Sequence, residues 1–290
     1  MCGIFALFQT LRPSKYFTLR DSIVTHFNYG QSRGPEYSTM KQINDNVLFG
    51  FHRLAINGLD DISNQPICVD GIYLICNGEI YNYKSIYTLL NINPTTNSDC
   101  ESIIHMYKKY GIEYTLQNLD GVFAFALYDS NTNEAYIARD PFGVRPMYYG
   151  RDKDNKLIVF SSLLKQITDL CDTCENFKAG TYLRLSITHG AKSAGSGYDD
   201  TNGTIDLSSE QLPYTSFNYN HKMISNAFSV HDDNLHSYYS TIYNTLSEAV
   251  KKRVITMERN LACLLSASVN PVPTVVTPTN IALPCGVIVP

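Results

Sequence analysis

Short runs of apolar residues, separated mostly by Gly, Asn and Asp, fill the first two thirds of the chain. Seven of these runs predict strands, at residues 4–8, 47–51, 72–76, 121–129, 134–139, 157–161 and 182–187. Two stretches with helical periodicity, residues 19–29 and 99–110, interrupt them. Ser98 and Glu101 have the spacing of a capping box at the start of the second helix. Hairpin-connected strands with grouped helices predict an α+β fold of packed sheets covered by helices.

The pattern changes after residue 188. Residues 189–234 are rich in Gly, Ser, Asp, Asn and Tyr, so we expect a linker or surface loop over residues 191–235. An apolar stripe at helical spacing returns at residues 236–254 and has a basic end. Prolines recur from position 271 to position 290, and helices and central strands exclude proline. We therefore predict a divergent, disordered tail over residues 267–290.

Composition and net charge indicate the number of domains, the expected partners and the cellular compartment. The chain has 290 residues, which predicts one full domain and a second piece. Its net charge of -4 gives no basic footprint, so we expect no nucleic-acid partner. Eight cysteines scattered through a chain of this length favour reduced thiols and a cytoplasmic location. No apolar run approaches the length of a membrane span, so we also expect no membrane partner.

The second residue, Cys2, can carry two reactive groups. Once Met1 is removed, Cys2 would have both a thiol and a free α-amino group. Their ordinary pKa values are about 8.5 and about 8, so the amine can accept the thiol proton at neutral pH. No histidine partner is then required. The alternative is that Cys2 is a small buried residue at the start of a strand.

Five further motifs follow the opening Cys-Gly-Ile in a fixed order. They are RGPE at residues 33–36, FHRLAI at 51–56, NGEIYN at 77–82, SDCE at 98–101 and RDPFGVRP at 139–146. Together they resemble the glutaminase domain of asparagine synthetase. The resemblance implies a class II glutamine amidotransferase over residues 1–190. The implied fold is the N-terminal-nucleophile hydrolase fold, a four-layer αββα sandwich, followed by the partial helical start of a second domain.

The resemblance assigns the catalytic roles to three residues. Cys2 would attack the side-chain amide of glutamine, release ammonia and leave a thioester that water converts to glutamate. The Asn77 side-chain amide and the Gly78 backbone N–H would form the oxyanion hole. Taken alone, Asn77-Gly78 is more typical of an ordinary hairpin turn.

The same resemblance assigns substrate binding. Arg53 would bind the α-carboxylate of glutamine with both branches of its guanidinium, although a surface ion pair is the alternative. Asp99 would bind the ammonium group, and we expect the helix dipole to keep it ionised. An acidic residue that serves only the helix is the alternative for Asp99. Glu79 would line the same pocket, with contacts from Leu54, Ala55, Ile56 and Asn57.

The remaining residues with reactive or titratable side chains are expected to have structural roles. His52 is not needed as a base for Cys2, and we expect it to support the Arg53 loop. Cys171 and Cys174 have C-x-x-C spacing, but no second pair or histidine cluster follows, so we expect no metal site. Ser32 and Glu36 replace the histidine and aspartate of the family loop, which affects loop contacts rather than chemistry.

The back of the chain resembles the beginning of a synthetase domain at residues 236–266. In the family an SGGxDS loop follows and binds the pyrophosphate of ATP, whereas this chain has Ala267-Ser268-Val269-Asn270-Pro271 after Ser266. We expect ATP and Mg²⁺ to be cofactors of the full-length family only, and glutamine hydrolysis to need none. The tail is then expected to be non-native sequence from a truncation or a shifted reading frame.

Three functional hypotheses follow. The first is a glutamine-hydrolysing, asparagine synthetase-like enzyme that retains only glutaminase capability in this chain. The second is a non-catalytic or regulatory subunit that serves a synthetase partner in trans, and a homodimer is also possible. The third is a truncated pseudo-enzyme that aggregates through the apolar face of the helix at residues 236–254.

Overall fold

The computed structural model describes residues 1–11, 13–188, 204–207, 211–214 and 235–255. These residues form thirteen strands, four α-helices and three short 3-10 helices. In chain order the strands and α-helices are β1 (Gly3–Gln9), α1 (Pro13–Asn28), β2 (Tyr37–Asn44), β3 (Val47–Arg53), β4 (Ile67–Val69), β5 (Ile72–Ile80), α2 (Tyr83–Leu90), α3 (Glu101–Asn118), β6 (Gly121–Asp129), β7 (Glu134–Arg139), β8 (Tyr148–Arg151), β9 (Leu157–Ser161), β10 (Thr173–Asn176), β11 (Thr181–Thr188), β12 (Thr204–Leu207), β13 (Leu212–Pro213) and α4 (Leu235–Ile255).

The strands form two antiparallel sheets. The first has the order β10-β8-β9-β1-β3-β2, and the second has the order β12-β11-β7-β6-β5-β4 with β13 paired to β11. Cys2 immediately precedes β1, a central strand of the first sheet, whereas Asn77 and Gly78 lie within β5 of the second sheet. The candidate nucleophile and the candidate oxyanion donors therefore come from different sheets.

The central strands are buried on both faces. Ile4, Ala6 and Phe8 of β1 belong to the cluster between the two sheets, and Phe5 and Leu7 belong to a second cluster under α1. This alternation follows from the pleat, which directs successive side chains to opposite faces. Because both faces exclude water, these strands appear in the sequence as continuous apolar runs rather than alternating ones.

The second sheet is also buried on both faces. Ala124 and Ala126 of β6 face the first sheet, while Phe123, Phe125 and Leu127 pack in the cluster that contains α2 and α3. The layer order is therefore α1, first sheet, second sheet, and then α2 with α3. This order confirms the four-layer αββα arrangement and places the functional motifs at the ends of strands in the two facing sheets.

The differences between predicted and observed elements have local causes. Every predicted strand occurs, but α1 begins earlier than predicted, and α3 continues to Asn118 through a bend at Gly111, whose φ is +79°. The sequence did not indicate β2 because it is an edge strand whose mostly polar side chains are exposed or only partly buried. It did not indicate α2 because that helix has only eight residues.

The region after β11 is described in part. Within the predicted linker, β12 and β13 both pair with β11, so the second sheet continues beyond residue 188. The helix predicted at residues 236–254 is α4. The predictions for residues 256–290, including the Ser266 junction and the tail, lie outside the described residues. Among the helices that are described, none combines the length and the hydropathy that crossing a membrane would require.

Candidate active site

Backbone contacts hold Cys2 beside the end of β3. The β1–β3 register pairs Gly3 with His52, which brings Cys2 next to Arg53 and Leu54. The Cys2 Sγ lies 3.3 Å from the Leu54 carbonyl oxygen, and the Leu54 N–H approaches the same sulfur at 3.4 Å. Arg33 Nε donates to the Cys2 carbonyl at 2.9 Å. The position of the thiol is therefore fixed by main-chain geometry on two strands.

Burial makes the Cys2 thiol a poor spontaneous nucleophile. Desolvation raises its pKa, while the hydrogen bond with Leu54 and the positive charges of the amino terminus and Arg145 act in the opposite direction. The thiol is therefore protonated at neutral pH and needs a base. Burial also lowers the pKa of the amino terminus at Met1, which favours its neutral, proton-accepting form.

Asn77 and Gly78 do not form a turn. They lie inside β5 and pair with Ala124 and Phe123 of β6, so the hairpin-turn alternative is wrong. A Cβ on Gly78 would lie 2.6 Å from the Val122 carbonyl oxygen. Only glycine permits this close approach of the two backbones.

The Asn77 side chain has an unused donor. It is 2% exposed, and among the described residues its Nδ2 has no hydrogen-bond partner. A buried donor without a partner costs about 1–3 kcal/mol, so a bound oxygen atom, from a ligand or a water molecule, stabilises the structure. An incoming oxygen atom would satisfy this donor.

Arg53 is buried and anchored by a loop. One branch of its guanidinium, Nη1, donates to the Asp60 carbonyl at 2.9 Å and to Asn64 Oδ1 at 2.6 Å, and the other branch donates to the Gly58 carbonyl. Only 7% of the residue is exposed, so the surface ion pair considered above does not describe it. These bonds fix the plane of the guanidinium.

Asp99 connects the two motifs that surround it. Its Oδ2 accepts a hydrogen bond of 2.6 Å from the Ile80 N–H at the end of β5. Burial raises the pKa of Asp99 to about 6, although hydrogen bonds from Ile80 and Asn57 act to lower it. Asp99 is still mostly ionised at neutral pH, but by a narrow margin.

Glu101 holds the segment that precedes Asp99. Its buried carboxylate accepts hydrogen bonds from the N–H and hydroxyl groups of Thr95 and Thr96, at 2.6–3.0 Å, and lies 2.9 Å from His105 Nε2. Burial acts to raise the pKa of Glu101, but hydrogen bonds from His105, Thr95 and Thr96 lower it to about 2. The predicted capping box with Ser98 is therefore wrong, because Glu101 reaches further back along the chain.

An ion pair closes one side of the site. Arg145 Nη2 donates to Glu79 Oε1 at 2.8 Å, and both residues are buried. The RDPFGVRP motif positions this arginine, because the Asp140 carboxylate accepts the backbone N–H groups of Phe142, Val144 and Arg145. Sequence reasoning gave Arg145 no role. The sequence did contain a signal for Arg145, because it lies in the RDPFGVRP motif, to which no chemistry had been assigned.

The remaining predicted residues have supporting positions. The Ala55 N–H donates to Glu36 Oε2 at 2.7 Å, so the glutamate that replaces the family aspartate still contacts this loop. His52 is fully buried, with its ring nitrogens 2.8 Å from the Phe27 carbonyl and 2.7 Å from Ser38 Oγ. It therefore supports the strand that leads to Arg53 and does not contact Cys2.

These residues surround a cavity, which we call the Cys2 cavity. It is lined by Cys2, Phe51, Arg53, Ile56, Asn57, Ser63, Gln65, Cys76, Gly78, Glu79, Ser98, Asp99 and Cys100. Asn77 lies between two lining residues of β5. Leu54 and Ala55 contribute backbone contacts without lining the cavity. Sequence reasoning missed Ser63, Gln65, Cys76 and Cys100, which become neighbours of Cys2 only through the packing of the sheets.

Comparison with known proteins identifies the family. Residues 1–201 match the family model of the glutamine amidotransferase domain. The chain belongs to this family. Its members are enzymes, and the resemblance inferred from the ordered motifs is confirmed.

Similar proteins from several organisms extend this result. The chain is 33% identical over 297 residues to the glutamine-hydrolysing asparagine synthetase of Pongo abelii, a match that covers 93% of this chain and 47% of that protein. It is 37% identical over 183 residues to asparagine synthetase 1 of Saccharomyces cerevisiae, which covers 62% of this chain and 31% of that protein. The chain therefore spans about half, or less, of the length of these curated relatives.

A solved structure supports the amidotransferase fold. The allosteric regulatory enzyme of purine biosynthesis aligns with a TM-score of 0.51 at 19% identity, over 73% of this chain and 50% of that one. At this identity the likeness concerns the fold alone. With the observed layer order, it confirms the N-terminal-nucleophile hydrolase sandwich.

Proposed function

We propose that this chain hydrolyses the side-chain amide of glutamine to glutamate and ammonia, with Cys2 as the nucleophile after removal of Met1. The observation that best supports this proposal is the buried, unpartnered Nδ2 of Asn77 beside the Cys2 cavity. Membership of the glutamine amidotransferase domain family supports glutamine as the substrate.

The reaction starts with proton transfer. The α-amine of Cys2, freed by removal of Met1, accepts the thiol proton directly or through a water molecule, and the thiolate attacks the amide carbon. The raised pKa of the Cys2 thiol makes this base necessary. The amine then returns the proton to the leaving ammonia, and a thioester remains on Cys2. A water molecule, deprotonated by the same amine, attacks the thioester and releases glutamate.

The oxyanion of each tetrahedral intermediate needs hydrogen-bond donors. We assign this role to Asn77 Nδ2 and to the Gly78 N–H, whose strand geometry is rigid because β5 is paired along its length with β6. A donor of this kind lowers the barrier by about 3–4 kcal/mol.

Two charged residues would bind the head of glutamine. Arg53 and Asp99 both line the Cys2 cavity, and their opposite charges match the α-carboxylate and the α-ammonium group of an amino acid. The same charges would favour free glutamine over a glutamine side chain within a protein. We propose that Glu79, Ile56 and Asn57 complete this subsite, and that the backbone of Leu54 and Ala55 supports it.

The decisive experiment compares processed variants. Purified chain, shown by mass spectrometry to lack Met1, is incubated with glutamine, and glutamate is measured. We expect Cys2→Ala to reach the uncatalysed rate and Asn77→Ala to lose about a hundred- to a thousandfold in kcat. The controls are Cys68→Ala, at an exposed thiol, and Asn118→Ala, on the exposed surface of α3. Equal rates for wild type and Cys2→Ala would disprove the proposal.

The second candidate function is that of a glutaminase-like subunit for a synthetase partner. It is favoured by α4, on which Tyr239, Ile242, Tyr243, Leu246 and Val250 are each more than half exposed. Such a face needs another surface, whether of a partner or of a second copy in a homodimer. Sedimentation at several concentrations separates these outcomes from aggregation of an inactive pseudo-enzyme. Retention of Met1 in the mature protein would favour the non-catalytic alternative.

We further propose that hydrolysis needs no cofactor, because the nucleophile and its base both belong to Cys2. ATP and Mg²⁺ would serve only the synthesis of asparagine, which we do not assign to this chain alone. A cytoplasmic location is proposed because the six cysteines in the described part of the chain are all free, as is usual in reducing compartments.

A further inference from the structure

The proposed hydrolysis leaves two thiols of the Cys2 cavity without a role. Cys76 and Cys100 line this cavity together with Cys2. Both are buried, and both are free thiols. Neither could be linked to the other from the sequence, because 23 residues separate them.

The two thiols lie over the same face of β5. The Cys100 Sγ is 3.9 Å from the carbonyl oxygen of Gly78, two residues after Cys76, and both cysteines belong to the same buried cluster. The backbones that hold them are fixed on both sides. Gln65 bonds to the N–H and the carbonyl of Cys76, at 2.6 and 3.2 Å, and Asp99 bonds to β5 through Ile80. The pair therefore joins two anchored elements, β5 and the start of α3.

We propose that Cys76 and Cys100 form a dithiol site that a small hydroperoxide oxidises to a disulfide between β5 and α3. The Cys76 sulfur attacks one oxygen of hydrogen peroxide, the O–O bond breaks, the Cys76 thiol proton passes to the leaving hydroxide, and Cys76 sulfenic acid and water form. The Cys100 thiol then attacks the Cys76 sulfur and displaces a second water. Two thiols lose two hydrogen atoms in total, and the peroxide is reduced to two water molecules.

Cys100 keeps its proton more firmly than an ordinary thiol, because its interaction with Cys76 and its burial hold its pKa well above the ordinary value. We therefore assign the first attack on the peroxide to Cys76 and the second step to Cys100. The cavity admits a molecule of the size of hydrogen peroxide, whereas the tripeptide disulfide of glutathione is restricted to exposed thiols such as Cys68.

The position of the pair gives the disulfide a consequence for glutamine. Cys76 directly precedes Asn77, and Cys100 directly follows Asp99. Disulfide formation removes the S–H donor that contacts the Gly78 carbonyl and draws the oxyanion strand towards the ammonium-binding residue. This consequence rests on the proposed function, but the disulfide itself does not.

The test uses the full chain with Cys2→Ala, so that oxidation of the catalytic thiol cannot contribute. After treatment with hydrogen peroxide, free thiols are alkylated and peptides are mapped by mass spectrometry. We expect a reducible link between the peptides of Cys76 and Cys100, absent in the additional variant Cys100→Ser. Both thiols remaining alkylatable at a dose that oxidises exposed Cys68 would overturn the proposal. A link from Cys2 to either thiol in wild type, in place of the Cys76–Cys100 link, would also overturn it.

Glutamine binding to the Cys2→Ala chain is measured by calorimetry before and after oxidation. We expect affinity to fall by at least about tenfold and to return after reduction with dithiothreitol. An unchanged affinity in the linked chain would overturn the regulatory consequence. If the reduced chain binds no glutamine, the proposed function fails, while the peptide map still decides whether the disulfide forms.

Discussion

Replacement of Glu101 by glutamine tests how the site is positioned. The carboxylate accepts four hydrogen bonds from Thr95 and Thr96 and contacts His105. Glutamine has a single acceptor oxygen, and its NH₂ group would face an N–H donor. We expect Glu101→Gln to destabilise the fold and to raise the KM for glutamine, because the segment held by Glu101 leads directly into Asp99.

The magnitude follows from linkage. The pKa of Glu101 falls from an ordinary value of 4.5 to about 2 in the folded chain. At about 1.4 kcal/mol per unit, this difference contributes about 3 kcal/mol to the free energy of unfolding at neutral pH. Because the folded-state pKa is the lower one, this contribution is complete above pH 4.5 and is lost as the pH falls towards about 2. At pH 3 it should be reduced to about 1 kcal/mol.

The assay is urea unfolding of wild type and Glu101→Gln across this pH range, with glutamine kinetics at neutral pH. Glu113→Gln is the matched control, since it changes an exposed glutamate on the same helix. The difference between wild type and Glu101→Gln should shrink on acidification, whereas the control should show no such trend. A difference below about 1 kcal/mol at neutral pH, or one independent of pH, would refute the reasoning.

Three further predictions concern individual residues. Because the pKa of Asp99 is raised to about 6, the KM for glutamine should rise about tenfold from pH 7 to pH 5, and Asp99→Asn should flatten this dependence. A steep profile that persists in Asp99→Asn would exclude Asp99 as its source. Gly78→Ala should abolish turnover and lower the free energy of unfolding by about 1–3 kcal/mol, since its Cβ overlaps the Val122 carbonyl; full activity in this variant would contradict the strand geometry. His52→Ala should lower the free energy of unfolding by about 3 kcal/mol in chemical denaturation, because it removes one buried hydrogen bond, one partly buried hydrogen bond and a ring stacked on Phe27, yet leave the pH profile of kcat unchanged. A shifted profile would instead indicate that His52 acts as the base for Cys2.

The sequence was sufficient for the elements whose stability is local or whose faces are both buried. The apolar runs of β1, β5 and β6 were visible because each strand has a core cluster on either side. The edge strand β2 gave no such signal, since none of its side chains is fully buried. Glu101 was misread for a related reason. A capping box is a local pattern, and the partners that Glu101 uses, Thr95 and Thr96, are set by the path of a loop.

The same division applies to the candidate site. By itself, the sequence determined the order of motifs from Cys2 to the RDPFGVRP segment, and with it the family and the residues expected to react. Only the tertiary structure decided that Asn77 and Gly78 lie within a strand, that burial raises the pKa of Asp99, and that Cys76 and Cys100 line one cavity. Each of these depends on which groups lose water and which distant segments become neighbours. The packing of two sheets against each other fixes those relations, and no local sequence pattern records them.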